Sequence, residues 1–231
     1  MSSKLINENL ERNSQSTTLK IYNELKKSLI LGDLKPGHKL KIDDLKKKYQ
    51  TGTNPVRESL TLLISDALVE KIDQKGFRVS EASKERFDEI LKTRIWAESF
   101  ALEESMNNKK DLDKWEEELL LINYRLEKTE RSSLYEPLNP SSWEMIHKKF
   151  HLTLVSRSGS RYLRTFCEQL YDQNMRYRFL LIKNKKNYKK RNINVEHKNI
   201  LEAVLKRDTK KAKQLLIEHY KNTGSFLTFV S

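Results

Sequence analysis

The stretch GTNPVRESLTLLISDALVEKIDQKGFRVS, residues 52–80, decides how the N-terminal part of the chain folds. Asn54 is a good helix N-cap and Pro55 suits the first helical position, so a helix is predicted from there to about Ala67. Val56, Leu60, Leu63 and Ile64 fall on one side of it and form its buried stripe. Leu68–Ile72 and Gly76–Ser80 then read as two short strands. Asp73-Gln74-Lys75 between them has the length of a β-hairpin turn.

Working outward, Leu19, Ile21, Tyr22, Leu25, Leu29 and Ile30 recur at helical spacing over Thr18–Leu31, and Gly32 stops that helix. Lys35-Pro36-Gly37 is a turn, and a short helix around Asp43–Tyr49 opens on acidic residues that suit its N-terminus. Three helices followed by a hairpin make a winged helix-turn-helix. Residues 1–15 are polar and aperiodic, which predicts a flexible tail. From Ser83 onward only helical patterns occur, over roughly 83–107, 111–130, 141–157, 160–182, 193–206 and 209–227. Ser141-x-x-Glu144 has the form of a capping box, and Asp208 can cap the last helix. The fold class is therefore mainly α: a tail over 1–15, a winged helix-turn-helix over 16–80, and an all-helical bundle over 83–231.

Composition bounds the function. Hydrophobic residues make up 37% of the chain, enough for packed cores, and no apolar run is long enough to span a bilayer. The polar N-terminus lacks the apolar stretch of a secretory signal, and the single cysteine, Cys167, fits a reducing compartment, so a cytoplasmic location is expected. The net charge of +13 favours a polyanionic partner, although the excess is spread along the chain. Residues 1–80 carry 15 Lys/Arg against 10 Asp/Glu, and residues 81–231 carry 30 against 22. Solvated helix faces would give the same balance, so charge alone suggests nucleic acid without establishing it.

The Gly32/Pro36-Gly37 turn, Pro55-Val56-Arg57-Glu58 and the Gly76-Phe77-Arg78-Val79 wing together resemble the DNA-binding domain of the GntR family. The C-terminal part resembles the FCD ligand-binding domain of its FadR-type branch, through Arg94-x-x-x-Glu98, Phe150-His151, Glu196-His197 and Glu218-His219. This resemblance covers about residues 16–225. It implies a transcriptional regulator, expected to be a repressor, that acts as a homodimer on a two-fold double-stranded DNA operator.

In helix-turn-helix proteins the start of the recognition helix meets base edges. Here that start presents Thr53, Asn54 and Arg57, and the resemblance gives Arg57 the family's most consistent DNA contact. Guanidinium binds guanine bidentately. Family members usually have Ser-Arg where this chain has Gly52-Thr53, so the operator sequence does not carry over. Lys46, Lys47 and Lys48 are placed to meet phosphates, and Lys75-Gly76 resembles a minor-groove-contacting wing tip. A surface pairing of Arg57 with Glu58 or Asp44 is the plainer alternative. The run Lys183–Arg191 reads as a solvated basic loop.

His147 and His151 lie four apart and hence on one helix face. With His197 and His219 they occupy the positions where the resemblance implies metal ligands. The family pattern has Asp where this chain has His147. Four neutral imidazoles would leave a bound divalent ion its full charge. Zinc is the first choice and nickel a second. The resemblance points Arg94 toward the ligand cavity, with Arg176 and Arg178 as further cationic contacts, although at least one of that pair is expected at the surface. Two cationic poles suit a small carboxylate, such as a short dicarboxylate. A repressor sensing metal alone is the rival reading. His147-Lys148-Lys149-Phe150-His151 lacks the glutamate of a zinc-protease helix, and no phosphate loop or catalytic triad is evident, so no enzymatic activity is expected.

Overall fold

The computed structural model describes residues 2–130, 142–182 and 192–225, with side chains from residue 17 onward. The chain divides into two compact units, 1–82 and 83–231.

The first unit contains α1 (Ser2–Leu31), β1 (Lys39–Leu40), α2 (Ile42–Tyr49), α3 (Thr53–Ser65), β2 (Val69–Ile72) and β3 (Gly76–Val79). It is a winged helix-turn-helix with a small three-stranded sheet. Ile21, Leu25 and Leu29 of α1 meet Val56, Leu60 and Leu63 of α3 in a core where each is at most 1% exposed. The Ser59 hydroxyl, also buried, donates to the Thr18 carbonyl at 2.7 Å and ties the two helices at one end. Ile64 is only partly buried.

Three details differ from the sequence-based expectation. The helix α1 starts at Ser2, inside the segment expected to be a flexible tail. That segment has no glycine or proline, and propagating a helix from an anchored end is far cheaper than starting one. Next, α3 begins at Thr53 with an extended Gly52 at its N-cap, so Asn54 and Pro55 are its second and third residues. Pro is tolerated there because first-turn N–H groups have no partner within the helix. Finally, the hairpin gains a third strand. Gly37, in a left-handed conformation at φ 75°, donates to Val79 O at 3.0 Å, and Val79 N donates to His38 O at 2.9 Å. The following residues then pair antiparallel with β3, Lys39 opposite Arg78 and Leu40 opposite Phe77, giving the order β1-β3-β2.

The second unit is all-helical: α4 (Lys84–Asn107), α5 (Leu112–Lys128), α6 (Trp143–Leu154), α7 (Arg161–Ile182), α8 (Ile193–Leu205) and α9 (Thr209–Ser225). Several of its helix starts are fixed by side chains that accept first-turn N–H groups. Ser83 accepts from Arg86 N, Asn192 from Val195 N, and Asp208 from Lys211 N at 2.9 Å. Ser142 accepts from Met145 N and caps α6, one residue after the expected Ser141, which lies outside the described residues. Glu144 is freed from the expected capping box for another role. The basic run at 183–191 also lies outside the described residues. Helix α4 packs on α7 and α9, α5 on α6 and α8, and α8 on α9, so residues from several helices meet in the middle of the bundle. No helix among the described residues is long and apolar enough to cross a membrane.

Candidate metal centre and nucleic-acid interface

Four histidines from three helices converge inside the bundle: His147 and His151 from α6, His197 from α8 and His219 from α9. All are buried, and one ring nitrogen from each lies within 4.8 Å of the others. His147 Nε2 is 3.0 Å from His151 Nε2 and 3.1 Å from His197 Nε2. Nitrogens arranged tetrahedrally around zinc at ~2.0–2.1 Å lie about 3.3 Å apart, close to these spacings.

Oxygen acceptors set the ring orientations. His147 Nδ1 is 2.9 Å from the Tyr171 hydroxyl, His151 Nδ1 is 3.0 Å from the Tyr220 hydroxyl, and His219 Nδ1 is 2.8 Å from Glu196. With Nδ1 donating to these oxygens, Nε2 of His147 and His151 keeps its lone pair facing the cluster, the tautomer a ligand needs. Burial, then the neighbouring imidazoles, hold the His147 and His151 pKa values well below the ordinary histidine range. Both rings are therefore neutral near pH 7. Trp143 stacks on the outer face of His147 with ring centroids 4.5 Å apart. The donor set fits a divalent transition ion.

A second polar layer adjoins the histidines. Arg94 of α4 is 4% exposed, and its guanidinium lies between the Tyr171 and Tyr220 rings, 4.8 and 4.1 Å from their centroids. Its Nε donates to Glu98 at 2.5 Å and its Nη1 to Asn174 Oδ1 at 3.1 Å. Burial works against the Arg94 charge, but Glu98 outweighs it and the pKa is raised. Tyr220 donates to the other Glu98 oxygen, closing a chain from His151 through Tyr220 and Glu98 to Arg94. Arg94 Nη2 and Asn174 Nδ2 are buried donors with no hydrogen-bond partner among the described residues.

The paired arginines of α7 are both inside the bundle, with Arg176 1% and Arg178 4% exposed, which overturns the expectation that at least one is a surface residue. Arg178 binds Glu144 bidentately at 3.0 and 2.9 Å and reaches the Tyr171 hydroxyl at 3.3 Å, so its charge is already balanced beside the histidines. Arg176, two residues away, points to a different side of the helix. Sequence reasoning missed Tyr171, Asn174 and Tyr220, which read as ordinary helical core positions.

In the first unit, Thr53, Asn54 and Arg57 lie along the opening turns of α3, with Asn54 and Arg57 exposed. Arg57 makes no ion pair among the described residues, and Glu58 instead accepts from Thr18 Oγ1. Lys46 and Lys47 occupy the last turn of α2, where Lys46 lies 3.4 Å from Asp43. Lys75 and Gly76 are exposed at the hairpin tip, where Gly76 adopts φ 87°.

Residues 17–79 match the bacterial regulatory proteins, gntR family, and residues 89–222 match the FCD domain. The chain belongs to the GntR family. It is thus a DNA-binding transcriptional regulator and not an enzyme. This GntR regulator is 32% identical over 211 residues to the HTH-type transcriptional repressor GlaR of Escherichia coli K12, spanning 88% of this chain and 92% of that one. It is 31% identical over 212 residues to the uncharacterized HTH-type regulator YdhC of Bacillus subtilis 168, with 92% and 91% covered. The solved structure of E. coli McbR/YncC shares its fold at a TM-score of 0.69 and 24% identity, covering 91% of this chain and 96% of that one.

Proposed function

We propose that this GntR regulator is a homodimeric repressor whose affinity for a two-fold operator falls when a small carboxylate, of which a short dicarboxylate is the best fit, binds beside the histidine cluster. The observation that carries this reading is the pair of unpartnered buried donors, Arg94 Nη2 and Asn174 Nδ2. A buried donor left without an acceptor costs about 1–3 kcal/mol, and a ligand oxygen would relieve that cost. The guanidinium is already immobilised by Glu98 and two aromatic rings, so little side-chain entropy is lost on binding.

His147, His151, His197 and His219 would hold the metal, zinc first and nickel second. The bound ion would supply a positive, Lewis-acidic pole for a carboxylate oxygen. Arg94 and Asn174 orient the ligand from the other side. Arg178 stays with Glu144 and steadies Tyr171, and Arg176 serves as a more distant cationic wall. On DNA, Arg57, Thr53 and Asn54 would read bases, while Lys46, Lys47, Lys75 and Gly76 would meet the backbone and the minor groove. Ligand binding weakens the complex only by its difference in affinity between the free and operator-bound states. In this reading the DQKGFRV and Arg176-Tyr177-Arg178-Phe179 segments resemble those of the carbon-starvation-induced regulator CsiR.

One observation favours a second reading. Four imidazoles would complete a tetrahedral zinc site and leave no open position, the pattern of structural or sensory sites. In that case the metal alone is the signal. Operator gel shifts of chelated protein, zinc protein and nickel protein, each with and without a panel of mono- and diacids, separate the two. Release that needs an acid supports the first reading. Release by metal alone supports the second, and an acid panel that never changes the shift sinks the carboxylate.

A further inference from the structure

A cavity of about 390 Å³ opens where α4 runs into α5 and α6 runs into α7, and it uses none of the residues of the histidine site. Lys110, Lys114, Trp115, Arg157, Gly159 and Arg164 contribute to its walls. Two carboxylates also line it, but each is engaged: Asp111 by Lys114 at 3.2 Å and Glu118 by Lys149 at 3.1 Å. The guanidinium of Arg157 packs 5.3 Å over the Trp115 ring, and its Nη2 donates to the carbonyls of Asn108 and Lys110. Its Nη1 is buried with no partner among the described residues. Neither Arg157, Arg164 nor Lys110 has a carboxylate partner among the described residues.

Helix α5 begins at the same place. Its N-cap, Asp111, is left-handed at φ 49° and makes no side-chain capping bond, and Asp113 is the acidic residue of its first turn. Gly159, at φ 76°, leaves open space where a side chain would stand. The cavity therefore gathers two guanidinium and two ammonium groups against two carboxylates, each of which already lies in an ion pair.

We propose that this cavity is a second ligand site, for a small organic phosphate monoester. A dianionic group with several acceptor oxygens suits clustered guanidinium and ammonium donors better than a single carboxylate does. The volume also leaves room for an organic part.

The test is isothermal titration of the full chain with inorganic phosphate and with glycerol 3-phosphate, at matched ionic strength. Saturable binding of the ester at one equivalent per chain is expected. Arg164→Gln, at an exposed residue with no side-chain partner among the described residues, should weaken it by about tenfold while leaving the melting temperature unchanged. The His151→Ala/His197→Ala variant should bind it as the parent does. The proposal is overturned if the ester gives no saturable binding, if inorganic phosphate alone binds, or if Arg164→Gln and Lys110→Gln both bind as tightly as the parent. It is also overturned if the histidine variant loses binding, which would place the ester at the metal centre. Competition by duplex DNA without any ester binding would assign the cavity to a nucleic-acid backbone and likewise overturn it.

Discussion

His151 is tied to Glu98 through a single hydroxyl: Tyr220 lies 3.0 Å from His151 Nδ1 and donates to the Glu98 carboxylate that grips Arg94. The histidine cluster and the arginine are thus held by one continuous chain of hydrogen bonds. Tyr220→Phe keeps the ring over Arg94 and removes only the link. Partners that orient a ligating histidine are worth about 10–100-fold in metal affinity, and a loss in that range is expected in competition with a chromophoric chelator. Unchanged affinity would mean that the link orients nothing.

Arg94 and Glu98 form a buried pair with 4% and 0% exposure. Removing one member strands the other charge, so Glu98→Ala should lower stability by about 3–5 kcal/mol in urea unfolding. Replacing both residues with apolar side chains of similar volume should recover most of that loss. If the double variant is no better than the single, the cost lies in packing and not in charge.

The metal-free protein should lose stability in mild acid. The folded pKa values of His147 and His151 are lowered, first by burial, among the cationic neighbours Arg94 and Arg178. Above the ordinary value of about 6.5 both folded and unfolded chains hold these rings neutral, and no difference arises. As pH falls below it, the unfolded chain takes up protons that the folded chain refuses. Each histidine then removes about 1.4 kcal/mol per pH unit until its folded pKa is reached. Unfolding of chelated protein between pH 8 and pH 5 measures the slope, and a flat profile across that interval contradicts neutral buried rings.

His147→Asp separates the charge of the site from its capacity to bind metal. An aspartate would still ligate but would cancel one unit of the ion's charge. Metal should remain bound while the affinity for dicarboxylates falls. Equal acid affinity in both proteins would show that the acid does not sense the ion's charge.

Arg57→Ala should cost about 1–3 kcal/mol of operator affinity in gel shifts, with no change in melting temperature, since the side chain is exposed and carries no ion pair among the described residues. An equal loss on random duplex DNA would demote the residue to a backbone contact.

Much of the fold was legible in the sequence because its signals are local. Asp208 sits where the last helix begins, and the Gly32 and Gly76 punctuation marks a helix end and a hairpin tip. The third strand was not legible, because Lys39-Leu40 is two residues long and is created by hydrogen bonds distant in sequence, from Gly37 N to Val79 O and from Val79 N to His38 O. The start of α3 was misplaced because Asn54-Pro55 carries a strong cap signature that an extended Gly52 pre-empts. At the site, the histidines were found through their spacing and their family positions. The groups that orient them were not. Tyr171, Asn174 and Tyr220 recur at spacings that any packed helix shows, and only their hydroxyl and amide ends, seen in three dimensions, distinguish them from core. Glu144 was misread for a related reason: a glutamate near a helix start looks like a cap, while its actual partner, Arg178, is 34 residues away.

Trp143 lies face to face with His147, 4.5 Å centroid to centroid and 26° from parallel. An indole that close to a metal ligand is a native optical probe. A paramagnetic ion such as nickel, seated among the four rings, should quench its emission, while closed-shell zinc should alter the emission without that loss. Occupancy of the centre can therefore be followed in real time, with no label attached, while the protein is bound to its operator.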